Sequence, residues 1–369
     1  MEEVRDGKKR LNLMGSVSQT GYGVVAYNIF EGLHKRGWDI SLFLKGGTDR
    51  PQREVELIKE GVEKSKMFPY DAPCLNVWHQ FDLANKVGRG KYVAYPFFEL
   101  DCFNESEKHH LNYPDELIVS SEWALEVLHN NKVQTSKAHV VSPGVNLSIF
   151  NPDNLPENDP VFDKTVFLNA GKWEVRKGHD FLIDAFTQAF NKEDNVELWL
   201  MPTNKFLDAT ESRTWEKLYL DTPLGRAGKI KIIPWAEDHK QVAEVMALAD
   251  CGVFPSRGEG WNLELLEMMA MGKEVIATNY SAHTEFCNEN NCYLIDIDGV
   301  EPAYDGRWFF EQGNWATIGS KQILQLRDHM RFVHDNKQKG FVITNSGGIE
   351  TAKKYSWELV CEKIDKILI

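Results

Sequence analysis

The stretch Phe254–Gly272, FPSRGEGWNLELLEMMAMG, holds a strand end, a loop and a helix. Cys251–Phe254 is short, apolar and closed by Pro255, so it reads as a buried strand ending at Phe254. The spacing that follows predicts a helix from near Asn262 to Gly272. Glu259 then falls in the loop before the helix, and Glu267 lies more than a turn inside it. The backbone N–H groups of Gly260, Trp261, Asn262 and Leu263 would face a ligand at the helix start. Such a start binds phosphate, and two carboxylates accept hydrogen bonds from sugar hydroxyls. The plainer alternative is an acid-rich helix start that suits the helix dipole.

The same strand–loop–helix unit recurs in both directions. Upstream, the strand candidates are Arg10–Gly15, Asp39–Leu44, Leu75–His79, Lys91–Pro96, Glu116–Ser120 and His139–Ser142. Amphipathic segments such as Tyr22–Lys35 and Glu122–His129 lie between them. Phe150–Pro160, FNPDNLPENDP, is rich in Pro, Asn and Asp and predicts a linker. The pattern then restarts with Thr165–Ala170, Val196–Met201, Ile230–Ile233, Cys251–Phe254, Glu274–Thr278 and Cys292–Ile295. Alternation on this scale predicts α/β architecture: two similar doubly wound domains, 1–155 and 156–345, with a cleft between them. Lys321–Asn336 has helical periodicity. A break is expected at Gly347–Gly348, then an amphipathic tail, Ile349–Ile369, in which Ser356 caps a helix from Trp357.

Composition removes whole classes of function. With 369 residues, 42% hydrophobic and 26% charged, the chain is globular, neither disordered nor fibrous. The net charge is −13, with 18 basic against 21 acidic residues up to Leu155 and 24 against 34 beyond it. No basic run exists to bind nucleic acid broadly, though one basic pocket for a phosphorylated metabolite remains compatible. No stretch is apolar enough to span a bilayer, and MEEVRDGKKR lacks the apolar core of a signal peptide. Lys8–Arg10 is too short a cluster to make a membrane patch. The six cysteines have no zinc-ligand spacing and predict free thiols in a reducing cytoplasm.

Three further loops follow strands where open α/β sheets bind ligands. Gly15-Ser-Val-Ser-Gln-Thr-Gly21-Tyr-Gly23 leads into a helix and suits either a tight turn or a close approach to an anion. Its glycine spacing is not GxGxxG, and strand two ends in Lys45-Gly46 rather than an acidic residue, so a dinucleotide enzyme is disfavoured. His79 ends a strand and reads as a structural histidine or a ligand-facing one. In Gly171-Lys-Trp-Glu-Val-Arg-Lys-Gly178, Arg176 can fork two phosphate oxygens and Lys177 adds a point charge.

Taken in order, SQTGYG, PFFELD at Pro96–Asp101, VVSPGVNLSIFNP, GKWEVRKG, FPSRGEGWNLELLE and TNYSAHTEF resemble the retaining glycosyltransferases of the GT-B fold, specifically glycosyltransferase family 4. The pair Glu259 and Glu267 is its most specific mark. The resemblance implies two Rossmann-like domains facing across a cleft, and C-terminal helices, 346–369, that cross back to the first domain. It implies that Arg176 and Lys177 hold the diphosphate of a nucleotide sugar and that Glu267 binds its ribose. Glu259 and the backbone of Gly260, Trp261, Asn262 and Leu263 would hold the donor sugar, with His79 beside it and Gly21–Gly23 near the diphosphate. Many members carry Gly where this chain has Asn262, whose side chain either touches the sugar or replaces the turn glycine.

The expected chemistry uses neither metal nor cofactor. Arg176, Lys177 and a helix start can stabilise a departing diphosphate electrostatically. The implied donor is a UDP-hexose or GDP-mannose, and the acceptor a sugar, glycan or lipid-linked acceptor. Trp78, Phe97, Phe98 and Trp123 could stack on an acceptor or fill the core. The rival readings are a nucleotide-sugar hydrolase or epimerase and a non-catalytic nucleotide-sugar-binding protein.

Overall fold

The computed structural model describes residues 8–154, 163–202, 204–234, 236, 238–341 and 344–369. The chain divides into two units, each built on its own parallel sheet. Met1–Phe98, Cys102–Gly144 and Tyr355–Ile369 make the first, and Glu99–Asp101 with Val145–Lys354 make the second.

The first unit carries strands β1 (Lys9–Gly15), β2 (Trp38–Leu44), β3 (Cys74–His79), β4 (Tyr92–Phe97), β5 (Glu116–Val119) and β6 (Ala138–Val140). They lie in the order β2-β1-β3-β4-β5-β6. All neighbours are parallel. Helices α1 (Gly21–Lys35), α2 (Gln52–Lys64), α3 (Glu105–Asn112) and α4 (Glu122–Asn130) connect them. β4 is buried along its whole length, which is why its six residues carry no charge. Strand order reverses between β1 and β3, the place where ligands of such sheets bind.

The second unit repeats the plan. Strands β7 (Thr165–Gly171), β8 (Val196–Pro202), β9 (Ile230–Ile232), β10 (Cys251–Phe254), β11 (Glu274–Thr278) and β12 (Tyr293–Ile295) form a parallel sheet. Its order is β12-β11-β10-β7-β8-β9, reversing between β7 and β10. Its helices are α5 (His179–Ala189), α6 (Ala209–Leu220), α7 (Pro223–Arg226), α8 (His239–Leu248), α9 (Leu263–Ala270), α10 (Ser320–Gln338) and α11 (Ser346–Lys353). Phe167, Phe186, Leu198, Val253, Ile276 and Met330 are among the side chains that fill its core. An antiparallel hairpin, β13 (Val300–Tyr304) and β14 (Phe310–Ala316), lies outside this sheet. No helix among the described residues is long and apolar enough to cross a membrane. All six cysteines are free thiols.

The last helix, α12 (Trp357–Leu368), belongs to the first unit. Ser356 caps it, with its Oγ accepting from Leu359 N at 3.3 Å. Val360, Cys361, Ile364 and Leu368 form its buried face. A Cβ on Gly32 would lie 2.4 Å from Cys361 Sγ, so the glycine lets α1 and α12 meet closely. Asp365 accepts from Trp38 Nε1 at 2.9 Å and from Lys9 Nζ at 2.9 Å.

Three boundaries differ from the sequence reading. The units divide after Gly144 and after Lys354, not at 155 and 345. Residues 150–154 make turns inside the second unit, around Asn151, whose Oδ1 accepts from Asp153 N and Asn154 N. The rest of the expected linker, 155–160, lies outside the described residues. The expected break at Gly347–Gly348 is instead the first turn of α11, capped by Asn345. A Cβ on Gly347 would lie 2.3 Å from Asn290 O, so this glycine serves close packing rather than a helix stop.

Candidate functional site

At the switch between β7 and β10, the two loops that follow these strands are sewn together. After β7 the chain makes a single 3-10 turn, Val175–Lys177, closed by Gly178. Gly178 has φ +74°, and a Cβ there would lie 2.1 Å from Pro255 O, so only glycine fits. Arg257 N donates to Arg176 O at 2.7 Å, and Arg257 Nη1 donates to Val175 O at 2.7 Å. The Arg257 guanidinium also forks Asp180, at 3.0 and 2.8 Å. This stitching turns Arg176 and Lys177 inward, although adjacent basic residues on a loop are usually solvated.

Both cations meet Glu259. Arg176 Nη1 donates to Glu259 Oε2 at 2.6 Å and to Gly258 O at 2.8 Å, and Nη2 donates to Glu174 Oε2 at 2.9 Å. Lys177 Nζ lies 2.7 Å from Glu259 Oε1. Ser256 Oγ donates to that same oxygen at 2.7 Å. Glu99 Oε1 stands 4.0 Å from Arg176 Nη2. The group is buried, with Arg176 6% and Glu259 4% exposed. Burial by itself would lift the Glu259 carboxyl, but Arg176 and Lys177 outweigh it and hold the group well below the usual carboxylate range. Burial raises the Glu99 carboxyl despite the pull of Arg176. Arg176 Nε is buried without a hydrogen-bond partner, a polar group that an anion would satisfy.

The helix start beside this cluster is held by Asn262. This residue sits in left-handed backbone, φ 94° and ψ 83°, and its Oδ1 accepts from Leu265 N at 3.2 Å. Its Nδ2 donates to His283 Nε2 at 2.9 Å. His283 Nδ1 lies 2.9 Å from Thr278 O, which can only accept, so the proton is on Nδ1 and Nε2 is the acceptor. Burial keeps this imidazole neutral by lowering its pKa. The Asn262 side chain therefore replaces the turn glycine and adds a cap. Asn262 satisfies Leu265 and leaves the N–H groups of Leu263 and Glu264, in the first turn, directed off the helix end. Trp261 packs against Phe286, with ring centroids 4.8 Å apart. Gly260 is buried beside it. Glu267 is 7% exposed, and its carboxylate makes no hydrogen bond or ion pair with any described residue. Burial, with Glu264 nearby, pushes its carboxyl well above the usual range.

This buried cation pair, helix start and unmatched carboxylate all lie within the segment that matches a known family. Residues 164–304 match the family model described as glycosyl transferases group 1. The chain carries a glycosyl transferases group 1 domain. Among curated relatives, D-inositol 3-phosphate glycosyltransferase of Jonesia denitrificans is 30% identical over 211 residues, 54% of this chain and 49% of the relative. Mannosylfructose-phosphate synthase of Agrobacterium fabrum is 26% identical over 249 residues, 62% of this chain and 54% of the relative. The chain thus spans about half the length of these relatives. Among solved structures, sucrose-phosphate synthase of Thermosynechococcus elongatus superposes with a TM-score of 0.71 at 15% identity, covering 98% of both chains. Anabaena HepE, solved with UDP and glucose, gives 0.70 at 16% identity, covering 98% of this chain and 99% of that one. The fold is GT-B, with two Rossmann-like domains.

Within the group 1 domain the structure brings together Arg176, Lys177 and Glu259, with Asn262, Leu263 and Glu267 on the adjoining helix. Sequence reasoning gave no role to Ser256, Ser281, His283, Glu174 or Glu99. Ser281 Oγ accepts from Glu259 N at 2.8 Å and holds the loop from behind, itself at φ 54°. Its signal lay in TNYSAHTEF, where neither periodicity nor spacing singles out Ser281 or His283.

The remaining expected residues stand in the first unit. His79 ends β3, and its ring is stacked on Phe81, with centroids 4.9 Å apart and planes 9° apart. Tyr22 Oη donates to Phe97 O at 2.8 Å, so at 2.9 Å it accepts from His79 Nδ1, and the His79 Nε2 carries the lone pair. Gly21 begins α1, and a Cβ there meets open space. A Cβ on Gly23 would lie 2.3 Å from the backbone of Ser18. Gly23 is therefore required by the loop itself. Arg50 reinforces this loop, donating to Gly23 O at 2.8 Å and Val17 O at 3.1 Å.

Proposed function

We propose that the protein is a retaining glycosyltransferase that moves a hexosyl unit from a UDP-hexose or GDP-mannose to a sugar, glycan or lipid-linked acceptor, without a metal ion. The observation that carries this reading is the buried Arg176–Lys177–Glu259 cluster at the start of α9.

In this reading the diphosphate draws Arg176 and Lys177 from Glu259 to itself and adds the α9 start as a third source of positive potential. As the glycosidic bond breaks, the electron pair goes to the β-phosphate oxygen, and these groups stabilise the growing charge without reorganising. Glu267 accepts from the ribose hydroxyls, which gives its unmatched carboxylate the partners it lacks. Glu259, released from the cations, accepts from hydroxyls of the transferred sugar. The acceptor hydroxyl attacks the face that the diphosphate leaves, and its proton passes to the β-phosphate.

Isothermal titration with UDP and GDP tests the site. Arg176→Ala should weaken whichever nucleotide binds by roughly 1.5–3 kcal/mol, as for a lost charge-assisted hydrogen bond. Unchanged affinity for both nucleotides rules the assignment out. Donor turnover should persist in excess EDTA, and loss rescued by magnesium or manganese would overturn metal independence.

A further inference from the structure

The β13–β14 hairpin has two apolar faces where one should be polar. Its inner face, Ala303 and Trp315 with Phe309 alongside, packs on Leu100. Trp315 Nε1 donates to Glu99 O at 3.1 Å, and Ala316 N donates to Arg257 O at 2.8 Å. The hairpin is therefore rooted on residues that build the Arg176 cluster. Its outer face carries Tyr304 and Phe310 as a cross-strand pair, 57% and 64% exposed. Trp308, 53% exposed, tops the turn, 5.7 Å from the ring of Phe206, itself 58% exposed. Lys172, from the loop that carries Arg176, lies 5.5 Å over Phe206. Exposed rings thus form two pairs, Phe206 with Trp308 beside the loop of Lys172 and Tyr304 with Phe310 on the hairpin. The outward positions of a solvated antiparallel pair are normally polar, and a contiguous exposed apolar patch marks a binding surface.

The platform is rigid. Asp305 Oδ1 accepts from the N–H groups of Arg307, Trp308 and Phe309 at 2.8, 2.7 and 2.9 Å, which fixes the turn. Rigid rings lose little entropy on binding. Their negative faces attract the polarised C–H groups of a pyranose. The surrounding charge selects among possible occupants. Glu301 pairs with Arg257 at 3.6 Å and Glu211 with Arg307 at 2.5 Å, and Lys172 sets a positive charge against Asp305 and Glu311, so the charge is close to balanced and offers neither anionic lipid nor nucleic acid the basic patch it needs. Four rings also fall well short of the ~1,200 Å² that a stable contact with a second copy would bury.

We propose that Tyr304, Trp308, Phe310 and Phe206 form a stacking platform for an uncharged glycan, holding sugar units of the acceptor away from the bond being made. Its role as an acceptor site rests on the glycosyltransferase reading, whereas glycan binding itself does not. The test is native electrophoresis of the full chain through gels containing mannan, dextran, amylose or galactan, beside vesicles of phosphatidylglycerol and phosphatidylethanolamine. At least one neutral polysaccharide should retard the parent, and the double variant W308A/F310A should lose that binding at least 10-fold while keeping its melting temperature and its UDP or GDP affinity. If the double variant melts early, Tyr304→Ala, which leaves the turn residues in place, substitutes for it. No retardation by any of the four, or equal retardation of parent and variant, overturns the platform. Vesicle binding that the variant loses assigns the rings to lipid and overturns it equally. Retardation in a parent that binds neither UDP nor GDP leaves the platform standing and removes the glycosyltransferase reading.

Discussion

Glu267 combines burial, an absent partner and a titratable charge. Burial raises its folded-state pKa, so the folded chain holds this proton more tightly than the unfolded one. The stability linked to it is complete below the unfolded value, near 4.5, and is lost as pH rises through the folded value. Glu267→Gln should therefore raise the melting temperature of the ligand-free protein at pH 7.5, with the gain vanishing below about pH 4.5. The same substitution should weaken UDP or GDP by about tenfold or more, because the ribose loses a charged acceptor. A variant that melts no higher, or binds nucleotide as the parent does, would show that Glu267 is not held in reserve for a ligand. The role of Glu259 shows the limit of reading a residue alone. Its position before the helix was legible, but its direct pairing with both Arg176 and Lys177 was not, because that pairing joins two loops some eighty residues apart.

At the scale of the element, α9 shows how a chain can depart from a glycine and keep the geometry. Asn is tolerated in left-handed backbone better than most residues, since its short side chain bonds locally. Here that side chain caps Leu265 and holds His283. Asn262→Gly removes both bonds but also the backbone strain, so its stability should stay within about 0.5 kcal/mol of the parent. Asn262→Ala loses the bonds and keeps the strain, and should cost roughly 2 kcal/mol. Chemical denaturation of the two variants decides it. Equal losses would mean that the cap, not the backbone, dominates at this position. The hairpin was the element that pattern reading passed over. Asp305-Gly306 between aromatic residues is a two-strand turn signal, but both faces are apolar and the period-2 alternation that marks a strand is absent.

For the whole molecule, each unit has its own core, which predicts more than one unfolding transition in calorimetry. Asp365 ties α12 to Lys9 and to Trp38 of β2. Asp365→Ala should lower the transition of the first unit by several degrees, equivalent to about 1–2 kcal/mol. Saturating UDP or GDP, at a hundred times its dissociation constant, should raise the transition of the second unit by an amount equivalent to about 2.7 kcal/mol. A nucleotide that shifted only the transition lowered by Asp365→Ala would place the binding residues in the wrong unit.

The two parallel sheets, the capped start of α12 and the loops that flank β7 and β10 were all determined by the sequence, because buried parallel strands and helix caps are written in local runs of residue types. The division points, the inclusion of Glu99–Asp101 in the second unit and the helical start at Ser346 were decided only by tertiary structure. In each case the cause is a close approach or a hydrogen bond between distant segments, such as Asn290 against Gly347 or Asp101 accepting from Asn314 N at 2.7 Å. The site divides in the same way. Its residue types and strand-end positions are local information, legible in GKWEVRKG and FPSRGEGWNLELLE. The pairing of its charges, the tautomer of His283 and the unmatched state of Glu267 depend on which loops the sheet order places side by side, and no local pattern encodes that order.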